Sequence, residues 1–164
     1  MKIERANRRT HKPVQEYRFK EAQLVVRDNP SLPVEIGPLV GVQFSSSLIV
    51  AEQLRNLIHM DQETFIALHL NGRLKISAMT VVSIGTISSS LVHPREVFRA
   101  AILAGATGII GVHNHPSGET SPSPEDRAIT TRLVETGRII GIRLLDHIII
   151  GRNGHFSFAD EGLL

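Results

Sequence analysis

The chain has 164 residues, 41% of them hydrophobic, which suits one domain with a packed core. It contains no cysteine, so disulfides and thiolate metal sites are excluded and only His, Asp and Glu remain as metal ligands. The net charge of +2 is uneven: residues 1–20 hold seven Lys or Arg against two Glu, and the remainder holds eleven against fourteen acids.

That first stretch, beginning MKIERANRRTHK, is polar, and no apolar segment follows it as a secretion signal requires. It reads as a solvated basic arm, with a weak nucleic-acid contact through residues 1–20 as the alternative use of its charge. The longest apolar runs, such as Ile148-Ile149-Ile150, are far too short to cross a bilayer, so a cytoplasmic protein without a membrane partner is expected.

Glu21–Arg27 (EAQLVVR) has the composition of a short strand, and Asp28–Pro38, with three prolines and a glycine, that of a loop. Residues 1–44 are therefore set apart as a basic arm and loop-rich segment, and 45–164 as the folded domain. Ser45-Ser46-Ser47 offers N-caps for a helix over about Leu48–Met60, with Leu48, Ala51, Leu54, Leu57 and Ile58 on one face. A hairpin is expected next, from Thr64–Leu70 through a two-residue Asn71-Gly72 turn to Leu74–Ile84. Pro94 opens a helix ending near Gly105, and Thr107–Val112 is a short buried strand. After a loop rich in Pro, Ser and Gly, a helix runs through about Glu135. Gly141–Ile150 forms a long strand, residues 151–154 turn, and His155–Phe158 closes the chain. This order predicts an α/β sandwich with a mixed sheet between helices.

The chemistry concentrates in His113–Asp126, HNHPSGETSPSPED. Residues i and i+2 of a strand point to one face, so the imidazoles of His113 and His115 can converge on one ion. Pro116 ends the pairing there, placing the histidines at a strand's end, where open α/β sheets carry their sites. Ser123-Pro124-Glu125-Asp126 is a helix start, with Ser as cap and Pro at the first helical position. Asp126 then has two competing uses, as a capping-box acid bonded to the Ser123 backbone or as a third metal ligand. Two His and one carboxylate, with a position left for water, make the ligand set of a catalytic zinc site. Among the other polar residues, His93 reads as a cap, His147 as a satisfied core histidine, and Asn114 as pointing away from the ligands. His11, His59, His69 and His155 show no metal spacing.

The string H-x-H-P, followed by Ser and Asp at the spacing of Ser123 and Asp126, resembles the JAMM motif of JAB/MPN-domain metalloproteases. Val92–Phe98 (VHPREVF), His113–Gly118 (HNHPSG) and Leu144–Gly151 (LLDHIIIG) are similar to bacterial RadC-type JAB domains. This resemblance spans about Ser45 to Phe158. It implies a JAB/MPN, cytidine-deaminase-like sandwich, zinc on His113, His115 and Asp126, and hydrolysis of a peptide or isopeptide bond in a protein or peptide substrate. It also implies a glutamate general base upstream, best matched by Glu63, and an oxyanion-binding role for Ser123. Glu52 and Glu96, on helices, and Glu119, inside the ligand loop, match less well. Residues 1–44 do not resemble the helix-hairpin-helix-like region that usually precedes RadC-type domains, so the expectation is a short, stand-alone member. Two rival readings are an interaction module that holds metal without peptidase activity, and a DNA-associated protein suggested by the basic arm and by the link of the RadC name to DNA repair.

Overall fold

The computed structural model describes residues 39–85 and 92–164; the strand expected at Glu21–Arg27, the loop at Asp28–Pro38 and the basic arm lie outside them. Three helices, α1 (Ser47–Gln53), α2 (Pro94–Leu103) and α3 (Pro124–Ile140), surround five strands. These are β1 (Thr64–Leu70), β2 (Ile76–Ile84), β3 (Gly108–Asn114), β4 (Arg143–Gly151) and β5 (Gly154–Ser157). They form one mixed sheet in the order β2-β1-β3-β4-β5, in which β3 and β4 pair in parallel and the other neighbours antiparallel. The α/β sandwich expected from the sequence is the fold observed. Among the described residues no helix is long and apolar enough to cross a membrane.

Strand alternation divides the core in two. Ile66, Leu68, Ile110, Val112, Ile148 and Ile150 face Val50, Leu54 and Leu57 on one side of the sheet. Phe65, Ala67, Ile109 and Leu144 face Val97, Phe98 and Ala101 of α2, and Ile129 and Leu133 of α3, on the other. Sheets buried on both faces need near-continuous apolar strands, and every residue of β1 and β3 is buried. His93 accepts the Arg95 N–H (3.0 Å) and so caps α2, as its place before Pro94 suggests.

Several boundaries differ from expectation, among them that of β3, which runs on to Asn114 instead of stopping at Val112. The helix drawn over Leu48–Met60 stops at Gln53 and continues as a 3-10 turn, Arg55–His59. Leu54 and Leu57, three residues apart, eclipse in the tighter turn and both drop fully into the core. Ser46 occupies the cap position without a side-chain bond, while Ser47 binds His155 (3.0 Å) and Asp160 (2.5 Å) at the C-terminal end. In the hairpin, the Asn71 side chain accepts the N–H groups of Arg73 (2.9 Å) and Lys75 (3.2 Å), which draws the loop out to Lys75. The two-residue turn does not form, Leu74 adopts φ 56°, and β2 begins at Ile76. Helix α3 runs past Glu135 to Ile140, because Gly137 is buried against the start of β4 instead of ending the helix.

One consequence of this topology fixes the site. Helix α3 is the crossover between parallel β3 and β4, so its N-terminus returns to the C-terminal end of β3. Antiparallel pairing of Phe65 with His113 brings the start of β1, and Glu63 just before it, to the same end.

Candidate metal centre

His113 is the sixth residue of β3 and lies on the face turned towards α3, stacked on Phe65 with ring centroids 6.0 Å apart. His115 follows just beyond the strand, still tied to the sheet by its N–H to Ile150 O (3.1 Å). The two Nε2 atoms are 3.0 Å apart. Across from them Asp126 presents Oδ1 at 3.1 Å from His113 Nε2 and Oδ2 at 3.4 Å from His115 Nε2. The three residues offer donor atoms that all lie within 4.8 Å of one another. Ligand atoms on a tetrahedral zinc with bonds of about 2.0–2.2 Å stand roughly 3.3–3.6 Å apart, so the cluster fits such an ion with small adjustments.

The loop between His115 and Asp126 is held in place. Gly151, in the β4–β5 turn, packs so closely on it that a Cβ there would lie 2.5 Å from Gly118 O and 2.5 Å from Thr120. Arg152 N–H donates to Gly118 O (2.8 Å), closing the contact. This seat presents Glu119 O to His115 Nδ1 at 2.9 Å. A carbonyl only accepts, so Nδ1 carries a proton, and in the neutral ring Nε2 is the nitrogen left to bind a cation.

Asp126 takes the capping-box use while one of its oxygens stays turned towards the histidines. Its Oδ2 accepts the Ser123 N–H (2.8 Å) and hydroxyl (2.6 Å), and its own N–H donates to Ser123 Oγ (3.1 Å), completing a capping box. Its Oδ1 still faces His113. Burial pushes the Asp126 carboxyl upward, but the neighbouring His113 and His115 imidazoles and the Ser123 hydroxyl outweigh it and hold the group well below the usual carboxylate range. Burial lowers the His113 imidazole despite the neighbouring carboxylate, whereas the Asp126 carboxylate raises buried His115. The centre is therefore an anion facing two imidazoles in a largely dry pocket.

The other residues singled out in the sequence fall as follows. Ser123 is half-buried at the head of α3, with its hydroxyl proton directed at Asp126. Glu63 is half-buried ahead of β1, and its charge acts on both His113 and His115. It lines a cavity of about 350 Å³ together with Asp61, Gln62, Gly85, Pro116 and Ser117. His147 is fully buried and satisfied, as expected of a core histidine, but its partner is His113 itself, at 2.9 Å. Nothing in the sequence pattern pointed to that contact, or to Thr130 behind it.

A mixed sheet between helices, with an H-x-H pair at a strand end and an aspartate opening the next helix, defines a JAB/MPN-type domain. The chain belongs to the family of RadC-like JAB domains, whose profile matches residues 39–163. It is similar to a UPF0758 protein of Desulforamulus reducens, 44% identical over 152 residues, which cover 93% of this chain and 66% of that protein. A UPF0758 protein of Thermotoga maritima is 43% identical over 122 residues, 74% of this chain and 55% of the relative. One from Trichlorobacter lovleyi is 50% identical over 103 residues, 63% and 45% of the two chains. The chain thus spans about half to two-thirds of the length of the curated relatives it matches.

Proposed function

We propose that this chain is a JAMM-type metallopeptidase, holding one zinc ion through His113, His115 and Asp126 and cleaving a peptide or isopeptide bond in a protein or peptide substrate. The observation that carries this reading is the convergence of three donor atoms within 4.8 Å at the end of β3, beside a glutamate that lines an adjoining cavity. A zinc ion held by His113, His115 and Asp126 would supply a Lewis acid for the scissile carbonyl and bring the pKa of water down to about 7. Glu63 takes the proton of the attacking water and passes it to the leaving amine. Ser123 donates to the developing oxyanion once its hydroxyl rotates away from Asp126; losing one such donor costs about 10²–10³ in turnover.

The test is metal content by elemental mass spectrometry, paired with cleavage of a pooled peptide library read by peptide mass. We expect about one zinc per wild-type chain, none in His113→Ala or Asp126→Ala, and zinc but no cleavage in Glu63→Gln. A wild-type protein that takes up no zinc overturns the reading. Zinc uptake with cleavage unaffected by Glu63→Gln overturns the role of Glu63. Zinc uptake without cleavage of any peptide favours the interaction module instead.

A further inference from the structure

His147 stands directly behind His113, on the side away from the proposed ion. The protons between them follow from one end of a chain of contacts. The Thr130 hydroxyl lies 2.6 Å from Asp126 O, a carbonyl that can only accept, so Thr130 donates to it. Its proton being committed, Thr130 Oγ accepts from His147 Nδ1 at 2.6 Å. His147 is fully buried and hydrogen-bonds no carboxylate, so it is neutral and its Nε2 bears a lone pair. That lone pair accepts from His113 Nδ1–H at 2.9 Å, which leaves His113 Nε2 unprotonated where it faces His115 and Asp126.

We propose that His147 and Thr130 are positioning residues that lock His113 in its metal-binding tautomer and tie that tautomer to the backbone of Asp126. The contacts close a ring: β3 supplies His113, β4 His147, and α3 both Thr130 and Asp126. Misplacing any one of these elements disturbs two ligands at once.

Local features of the sequence build this arrangement. Pairing of β3 with β4 skips Leu145, Ile109 meeting Leu144 and Ile110 meeting Asp146. This bulge changes the phase of β4, so that His147 shares the α3 face with Leu144. Gly111 lies opposite His147, and a Cβ there would sit 2.9 Å from Phe65 Cζ and 3.2 Å from His147 Cδ2. Phe158 stacks on the His147 ring at 5.0 Å with planes 9° apart, fixing its orientation. Thr130, one helical turn beyond Asp126, bonds back to the carbonyl four residues earlier, a contact open to threonine but not to valine.

The proposal rests on the zinc reading above, and its test separates the two. Zinc affinity is measured by chelator competition for wild type, Thr130→Val, Thr130→Ser and His147→Phe, with folding of each checked by circular dichroism. Thr130→Val and His147→Phe should bind zinc about 10–100-fold more weakly, and Thr130→Ser should stay close to wild type. Folded Thr130→Val with wild-type affinity overturns the relay, since a purely packing role for the threonine survives this near-isosteric change. Independently, long-range ¹⁵N–¹H correlations of the metal-free protein at pH 8 should show His113 and His147 both protonated on Nδ1. Protonation of His113 on Nε2 there overturns the relay even if zinc binds. A wild-type chain that binds no zinc but shows Nδ1–H on both rings overturns the metal reading and leaves the relay standing.

Discussion

Between His113 and His115, Asn114 turns to the other face of β3 and brackets Glu63. Its Oδ1 accepts the Thr64 N–H (2.8 Å), and its Nδ2 donates to the carbonyls of Gln62 (3.3 Å) and Met60 (3.5 Å). The residue pointing away from the candidate ligands thus places the proposed base. Asn114→Ala removes these bonds at a buried position, so we expect a loss of about 1–3 kcal/mol in stability, with zinc content retained and cleavage lowered more than in a variant of equal instability elsewhere. Denaturant unfolding, metal analysis and rate measurements on one preparation check this. His69 makes a different point. It is fully buried, its Nδ1 has no hydrogen-bond partner among the described residues, and burial lowers its pKa from 6.5 to about 4. The unfolded chain therefore binds a proton that the folded chain refuses between those values. Stability is full above pH 6.5 and falls as pH drops towards 4, by about 1.4 kcal/mol per pH unit and roughly 3 kcal/mol in all from this group. Urea titrations from pH 4 to 7 should show a shallower slope in His69→Gln, whose side chain still reaches Thr80.

Elements, in turn, are joined at the site through backbone contacts that tolerate little change. The ligand loop rests on the β4–β5 turn where Gly151 meets Gly118 O. Gly151→Ala puts a methyl group against that carbonyl and should cost about 1–3 kcal/mol. It should also weaken zinc binding, because Glu119 O, which sets the His115 tautomer, belongs to the same loop; chelator competition beside thermal unfolding reads both. The convergence of His113, His115 and Asp126 was legible in the sequence because all three residues lie in one short stretch, where strand alternation and a Ser-Pro helix start fix their directions. Elements with strong periodicity, such as β1, α2 and α3, were legible for the same reason. Glu63 was not legible from the residues themselves, since an acid ahead of a strand has no local pattern, and only the family resemblance singled it out. His147 and Thr130 were hidden more deeply. Their meeting with His113 depends on a one-residue bulge at Leu145, and alternation counted along β4 without it points His147 to the wrong face. The hairpin loop was misread because the Asn71 side chain, through its bonds to Arg73 and Lys75, outweighed the turn preference of Asn-Gly.

For the whole molecule, an ion that binds the folded chain and not the unfolded one adds directly to stability. Free zinc at 100 times its dissociation constant stabilises by about 2.7 kcal/mol, which for a chain of this size raises Tm by roughly 5–10 °C. Thermal unfolding with zinc, set against unfolding with a chelator, should show this gap in wild type and Glu63→Gln, and no gap in His113→Ala. The same arrangement has an evolutionary consequence. On the proposed function, the ligands occupy one stretch of sequence and the base another, so holding an ion and moving a proton would be inherited separately. A duplicated copy that drifts at Glu63 keeps its ion and its fold, whereas drift at His113 or Asp126 forfeits thermal tolerance as well as chemistry. Selection for folding therefore preserves the ligands after selection for turnover has ended, and inactive descendants of such a domain should be found with the ion still in place.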